Sequence, residues 1–206
     1  MKRLMTILLA FMIMCTFGAC GKKEESSKVE IKESVSQKDG TYEEALREFF
    51  DSTYTKDSGA VCYSYMKLSA AIDALKTLGD YDVLVDSYNN NQNNYIDLMD
   101  NKPEITSIIE AVPLTDVQKN AAENYFVYDT VFHIPEFSKD DVEVTEAYEI
   151  KYNATGITGK ETEELVCLAR IQDDGWKIIP ADAETLEISY TDEALEKALD
   201  GLKAEK

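Results

Sequence analysis

Residues 165–179 constrain the fold more than any other part of the chain. Asp173, Asp174 and Gly175 separate two apolar runs, residues 165–171 and 176–179. An Asp-Gly step accepts the positive φ that a tight hairpin demands, and flanking apolar runs supply the two strands. A chain with this stretch builds an antiparallel pair, and other segments must cover that pair's apolar face.

The segments before it read mainly as helices. Thr41 and Glu44 form a T-x-x-E capping box, followed at helical spacing by Tyr42, Ala45, Leu46, Phe49 and Phe50. A second helix is expected over residues 58–78, with Val61, Tyr65, Leu68, Ile72 and Leu75 as its stripe and Gly79 as its stop. Tyr81, Leu84, Val85, Tyr88, Gln92, Tyr95 and Met99 keep the helical period through the Asn-rich run at residues 88–95; the alternative is a kink near Asn90. Pro103 suits the first turn of a short helix carrying Ile105, Ile108 and Ile109. Thr115 and Gln118 form another capping box, extended by Val117, Ala121, Ala122 and Tyr125.

From Phe126 the pattern changes. Alternation over residues 126–134 predicts a strand that Pro135 ends or places at an edge. Val142, Val144, Tyr148, Ile150 and Tyr152 predict one face of the next strand, with Glu146 on that same face. Residues 165–171 and 176–179 follow, and residues 186–190 are a candidate extension of the sheet. Thr191 caps a last helix bearing Ala194, Leu195, Leu199 and Leu202. Helices followed by an antiparallel sheet of about four strands and a C-terminal helix make an α+β fold.

Residues 1–19 are excluded from this fold. Lys2 and Arg3 precede an apolar run over residues 4–17, and small residues Gly18 and Ala19 precede Cys20. This is the layout of a secretory signal, and the run is shorter than the roughly 20 residues a membrane-spanning helix needs. Residues 20–40 are charged and Ser-rich with few apolar side chains, which predicts a flexible tether with a span of roughly 25 Å. Residues 41–206 are expected to form a single α+β domain.

Charge narrows the function. The first 19 residues hold two of the 21 Lys and Arg and none of the 40 Asp and Glu, leaving the remainder at −21. Such a chain lacks the cationic footprint that nucleic-acid binding needs and would not lie flat on anionic lipid.

The stretch TFGACGKK resembles the lipobox of bacterial lipoproteins. The resemblance implies a diacylglycerol on Cys20, cleavage just before it, and residence on the extracytoplasmic face of the cell membrane. Two acyl chains suffice for stable attachment without a basic patch. The runs VEVTEAYEIKYNATG and EELVCLARIQDDGWKII, with the early Phe49–Phe50 pair and the VCYSYM segment, resemble the nuclear transport factor 2-like, cystatin-like cone superfamily. Small exported lipoproteins of Gram-positive bacteria are similar. The resemblance covers about half the mature chain and implies a cone-like sheet, whereas the helices over residues 80–111 and the last helix depart from it. The superfamily holds enzymes, binders and scaffolds, so the fold implies no activity.

Candidate chemistry is sparse. His133, the single histidine, is either a general base beside Asp129 or a surface residue of its strand. One His and two available Cys argue against zinc, and Asp80, Asp82 and Asp86 do not match a calcium loop; no metal or cofactor is expected. Cys62 and Cys167 are either a disulfide, which export favours, or two buried thiols. Glu146 either lines a pocket, with Tyr148 and Trp176, or is turned into water by an edge or bulge. Tyr81, Tyr88 and Tyr95 recur every seven residues and present either a contact surface for glycan or peptide or a stripe packed on the core. The expected function is a non-enzymatic binding or interaction module, its partners being the membrane through Cys20 and an envelope protein or glycan. An acid–base enzyme using a cone pocket and an envelope scaffold are the alternatives.

Overall fold

The computed structural model describes residues 38–204. The expected leader, Cys20 and residues 21–37 of the expected tether lie outside the described residues.

Among the described residues, helices α1 (Tyr42–Thr53), α2 (Gly59–Met66), α3 (Ser69–Leu78) and α4 (Tyr81–Ile96) precede the first strand. Then follow β1 (Ile105–Pro113), α5 (Asp116–Val131), β2 (Val144–Thr155), β3 (Glu161–Ile171), β4 (Gly175–Ile179), α6 (Ala183–Ser189) and α7 (Asp192–Ala204). The strands form one antiparallel sheet in the order β1-β2-β3-β4. The expected α+β arrangement is the observed one.

Side chains alternate across the strands and so divide the core. Ile150, Tyr152, Val166, Leu168, Trp176 and Ile178 point to one face, where Leu46 of α1 and Tyr65 of α2 cover them. Cys167, Ala169, Ile171 and Ile179 point to the other, under Ala122, Phe126 and Val127 of α5, Leu186 of α6 and Leu195 of α7. A third cluster joins Tyr63 of α2, Ile72 and Leu75 of α3 and Tyr81 of α4.

The capping boxes at Thr41 and Thr115 both form. The hairpin is as expected, with Asp173 at φ 64° and Gly175 at φ 75°. Helix α4 runs unbroken through the Asn-rich stretch, because its polar turns have partners. Asn89 Oδ1 accepts the Gly59 N–H at the start of α2 (2.7 Å), and Gln92 Nε2 donates to the Ser52 carbonyl at the end of α1 (2.8 Å). Gly79 stops α3 in the left-handed region, with φ 82°.

Four expectations are corrected. Residues 58–78 form two helices, because Lys67 and Leu68 are extended with ψ near 150°. Asp174, from the hairpin turn, accepts the Ser69 N–H (2.9 Å) and so caps the second of them. The expected helix after Pro103 is strand β1: register shifts at Ile105/Ser107 and Ile108/Glu110 insert extra residues, so Ile105, Ile108 and Ala111 reach one core at a spacing of three. Bulged strands thereby imitate a helical period. Residues 126–131, expected as a strand, continue α5, which buries Tyr125, Phe126, Val127, Thr130 and Val131 together. Residues 186–190 belong to α6 and its C-cap, not to the sheet, since Asp182 caps this helix through the Thr185 N–H (2.7 Å).

Candidate functional site

Helix α5 places Asn124, Tyr125, Tyr128 and Asp129 within little more than one turn, and His133 lies just past its end. Asn124 is fully buried; its Nδ2 donates to the Tyr190 carbonyl and to Asp192 Oδ1, both at 2.9 Å. Asn120 Nδ2 reaches the same Asp192 oxygen at 2.9 Å, and Lys139 Nζ lies 3.2 Å away. These contacts pin the start of α7 to α5. Hydrogen bonds from Asn124, Asn120 and Lys139 lower the Asp192 pKa to about 2.

A pocket of about 240 Å³ opens between these helices, lined by Asn124, Tyr128, Ser189, Tyr190, Ala194 and Leu195. The Tyr190 ring meets Tyr125 edge-on (centroids 5.1 Å apart) and Tyr128 at 6.2 Å. Asn124 Oδ1 has no hydrogen-bond partner among the described residues. The volume lies below the roughly 300–1,000 Å³ of drug-sized ligand sites, so a single ring or side chain is what fits.

Beside the pocket, Lys67 donates to both oxygens of Asp129 at 2.7 and 3.0 Å. Burial lowers the pKa of half-buried His133, and Lys67 adds to the effect against Asp129 and Asp80. These surroundings favour the neutral imidazole, which has a free nitrogen lone pair. This helix-end position replaces the strand position expected for His133.

Glu146 lies in water beside a bulge. The register slips between Val144 and Glu146, so Val144 turns to the α5 side while Tyr148 and Ile150 stay on the α1 side. Glu146, Tyr148 and Trp176 are neighbours: the Tyr148 hydroxyl donates to Glu146 at 3.5 Å, and the Tyr148 and Trp176 rings lie 6.2 Å apart. Tyr42 of α1 packs on both rings, 4.9 Å from Tyr148 and 6.4 Å from Trp176. Trp176 Nε1 donates to the Gly40 carbonyl at 2.8 Å, and Arg170 to the Lys38 carbonyl at 3.1 Å. The last residues of the expected tether are thus fastened to the sheet.

Cys62 and Cys167 are free and buried, which corrects the candidate disulfide. Cys167 faces the α5 side of the sheet, whereas Cys62 contacts Ser52 of α1 at 3.1 Å. The tyrosine stripe turns inward: Tyr81 is buried, Tyr88 and Tyr95 are half-buried, and the Tyr63 ring meets Tyr81 and Tyr88 at 6.2 and 5.9 Å. Of the expected contact surface, Tyr81 and Tyr88 therefore pack on Tyr63 of α2.

Sequence reasoning missed the Asn124–Tyr190–Asp192 arrangement and the Lys67–Asp129 pair. Asn124 and Tyr128 share a helical face, a signal hidden once residues 126–134 are read as a strand. It also missed Lys177, which is buried with its Nζ donating to the Ser64 carbonyl at 2.8 Å and lying 3.2 Å from Asp174. Among the described residues no group of three or more His, Cys, Asp and Glu gathers to hold a metal, and no helix is long and apolar enough to cross a membrane. No family model, curated protein or solved structure matches the chain.

Proposed function

We propose that this chain is a lipoprotein, held by acyl chains on Cys20 at the extracytoplasmic face of the cell membrane, whose α+β domain is a binding module. The lipobox-like residues Gly18, Ala19 and Cys20 support the anchor. The observation that carries the binding reading is the pocket between α5, α6 and α7. Two tyrosines wall it, and the buried side chain of Asn124, with one acceptor unused, lies at it. An unpaired buried acceptor is costly, and a ligand bearing an N–H or O–H beside an apolar ring would offset that cost.

Replacing Ala194, which lines the pocket and is solvent-exposed, tests this. Small aromatic donors such as phenol and indole should raise the melting temperature of the wild type and leave Ala194→Trp unmoved. Equal shifts in both proteins, or in neither, would remove the pocket as the binding site.

A second reading, proton transfer by His133, is supported by its neutral imidazole beside the Lys67–Asp129 pair. Turnover of any substrate that is unchanged in His133→Ala would end it.

A further inference from the structure

A second concave surface lies along the opposite flank of α6. It is an open groove of about 720 Å³ lined by Gln118, Glu149, Leu165, Asp182, Ala183, Glu184, Glu187 and Ile188. Two properties coincide there. Leu165 and Ile188 line it while 47% and 69% exposed, so large apolar side chains face solvent in a concave site. Four carboxylates line the same groove and, among the described residues, no Lys or Arg does. Lys151, opposite Leu165 in the register, is held by Glu163 at 2.7 Å.

The acidic residues have distinct tasks. Glu149 accepts the Ala183 N–H (2.8 Å) and Asp182 caps α6 through the Thr185 N–H (2.7 Å). Glu184 and Glu187 have no such backbone duty and carry the outward charge. Apolar surface exposed in a groove with a polar rim marks an interaction site, and the sign of the rim selects the partner.

We infer that this groove docks a segment of a partner protein in which Lys or Arg residues flank apolar side chains. The apolar side chains cover Leu165 and Ile188, and the cations face Glu184 and Glu187. This site is separate from the tyrosine pocket, so each stands or falls alone.

The test measures binding of three labelled pentapeptides to the full chain: Lys-Leu-Lys-Leu-Lys, Lys-Ser-Lys-Ser-Lys and Glu-Leu-Glu-Leu-Glu. The first should bind about tenfold more tightly than either control, a factor equivalent to about 1.4 kcal/mol. Its advantage over the Lys-Ser peptide should vanish in Leu165→Ser/Ile188→Ser. Its salt dependence should weaken in Glu184→Gln/Glu187→Gln. Ala194→Trp, in the other pocket, should leave it unchanged. All three variants alter exposed or half-buried side chains, and unchanged melting temperatures would confirm that they fold. Equal binding of the Lys-Leu and Lys-Ser peptides would reduce the effect to net-charge attraction and overturn the proposal. So would an unaltered preference in Leu165→Ser/Ile188→Ser.

Discussion

Lys177 and Ser64 join two elements that are distant in sequence: the ammonium of β4 donates to a carbonyl of α2 at 2.8 Å, with both residues buried. Asp174 lies 3.2 Å from the same ammonium and also caps α3. One cation thus ties the hairpin to the joint between two helices. Removing one partner of a buried pair leaves the other desolvated without compensation. Lys177→Ala should destabilise the fold by about 3 kcal/mol. Lys177→Met, which keeps the volume, should lose less. Urea denaturation of the two variants checks the order, and equal midpoints would contradict it.

Asp192 gives the chain an acid-sensitive contact. Its folded pKa of about 2 lies below the ordinary 3.8 because Asn124, Asn120 and Lys139 bond the carboxylate. A depressed folded value means that the stabilisation is present above about pH 4 and is lost as pH falls toward 2. Asp192→Asn should therefore be less stable than wild type at pH 6 and converge with it near pH 2. Parallel curves of melting temperature against pH would contradict this.

The thiols should be unreactive until the chain unfolds. Burial raises the pKa of both Cys62 and Cys167, and both are enclosed. In a chain carrying Cys15→Ser and Cys20→Ser, iodoacetamide without reductant should add no label to the native protein. It should add two after denaturation. A denatured chain that takes label only after reduction would restore the disulfide.

Gly59 sits where α4 meets the start of α2. A Cβ placed there would lie 2.6 Å from Asn89 Oδ1, the atom that accepts the Gly59 N–H. Gly59→Ala should destabilise by about 1–3 kcal/mol, the usual cost of overpacking, although alanine favours helix. Gly201→Ala, with nothing within 4 Å of its Cβ, is the control and should not destabilise. Equal effects would sink the account of why the Asn-rich turns hold their helix.

What was legible in the sequence followed local chemistry. The Thr41 and Thr115 capping boxes, the Gly79 stop and the Asp173–Gly175 turn each depend on a few neighbouring residues. Expectations failed where a bulge altered the period. Ile105 and Ile108 looked helical because the strand slips, and Val144 looked to share a face with Tyr148 because a slip before Glu146 turns Val144 to the other side. Helix α5 failed differently: buried on a wide arc, it carries consecutive large residues that also read as a strand. The candidate pocket was hidden for the same reason, since Asn124 and Tyr128 align only on a helix. Its other wall, Tyr190, comes from a distant segment that local patterns do not place.

The lipid anchor proposed on Cys20 decides where the domain would act. Intact-mass measurement of the full chain, expressed in a bacterium and recovered from its membrane fraction, tests this most directly. The predicted result is a chain that begins at Cys20 and carries a diacylglycerol, with no such species from Cys20→Ser. A soluble chain without lipid, or one that retains residues 1–19, would contradict it.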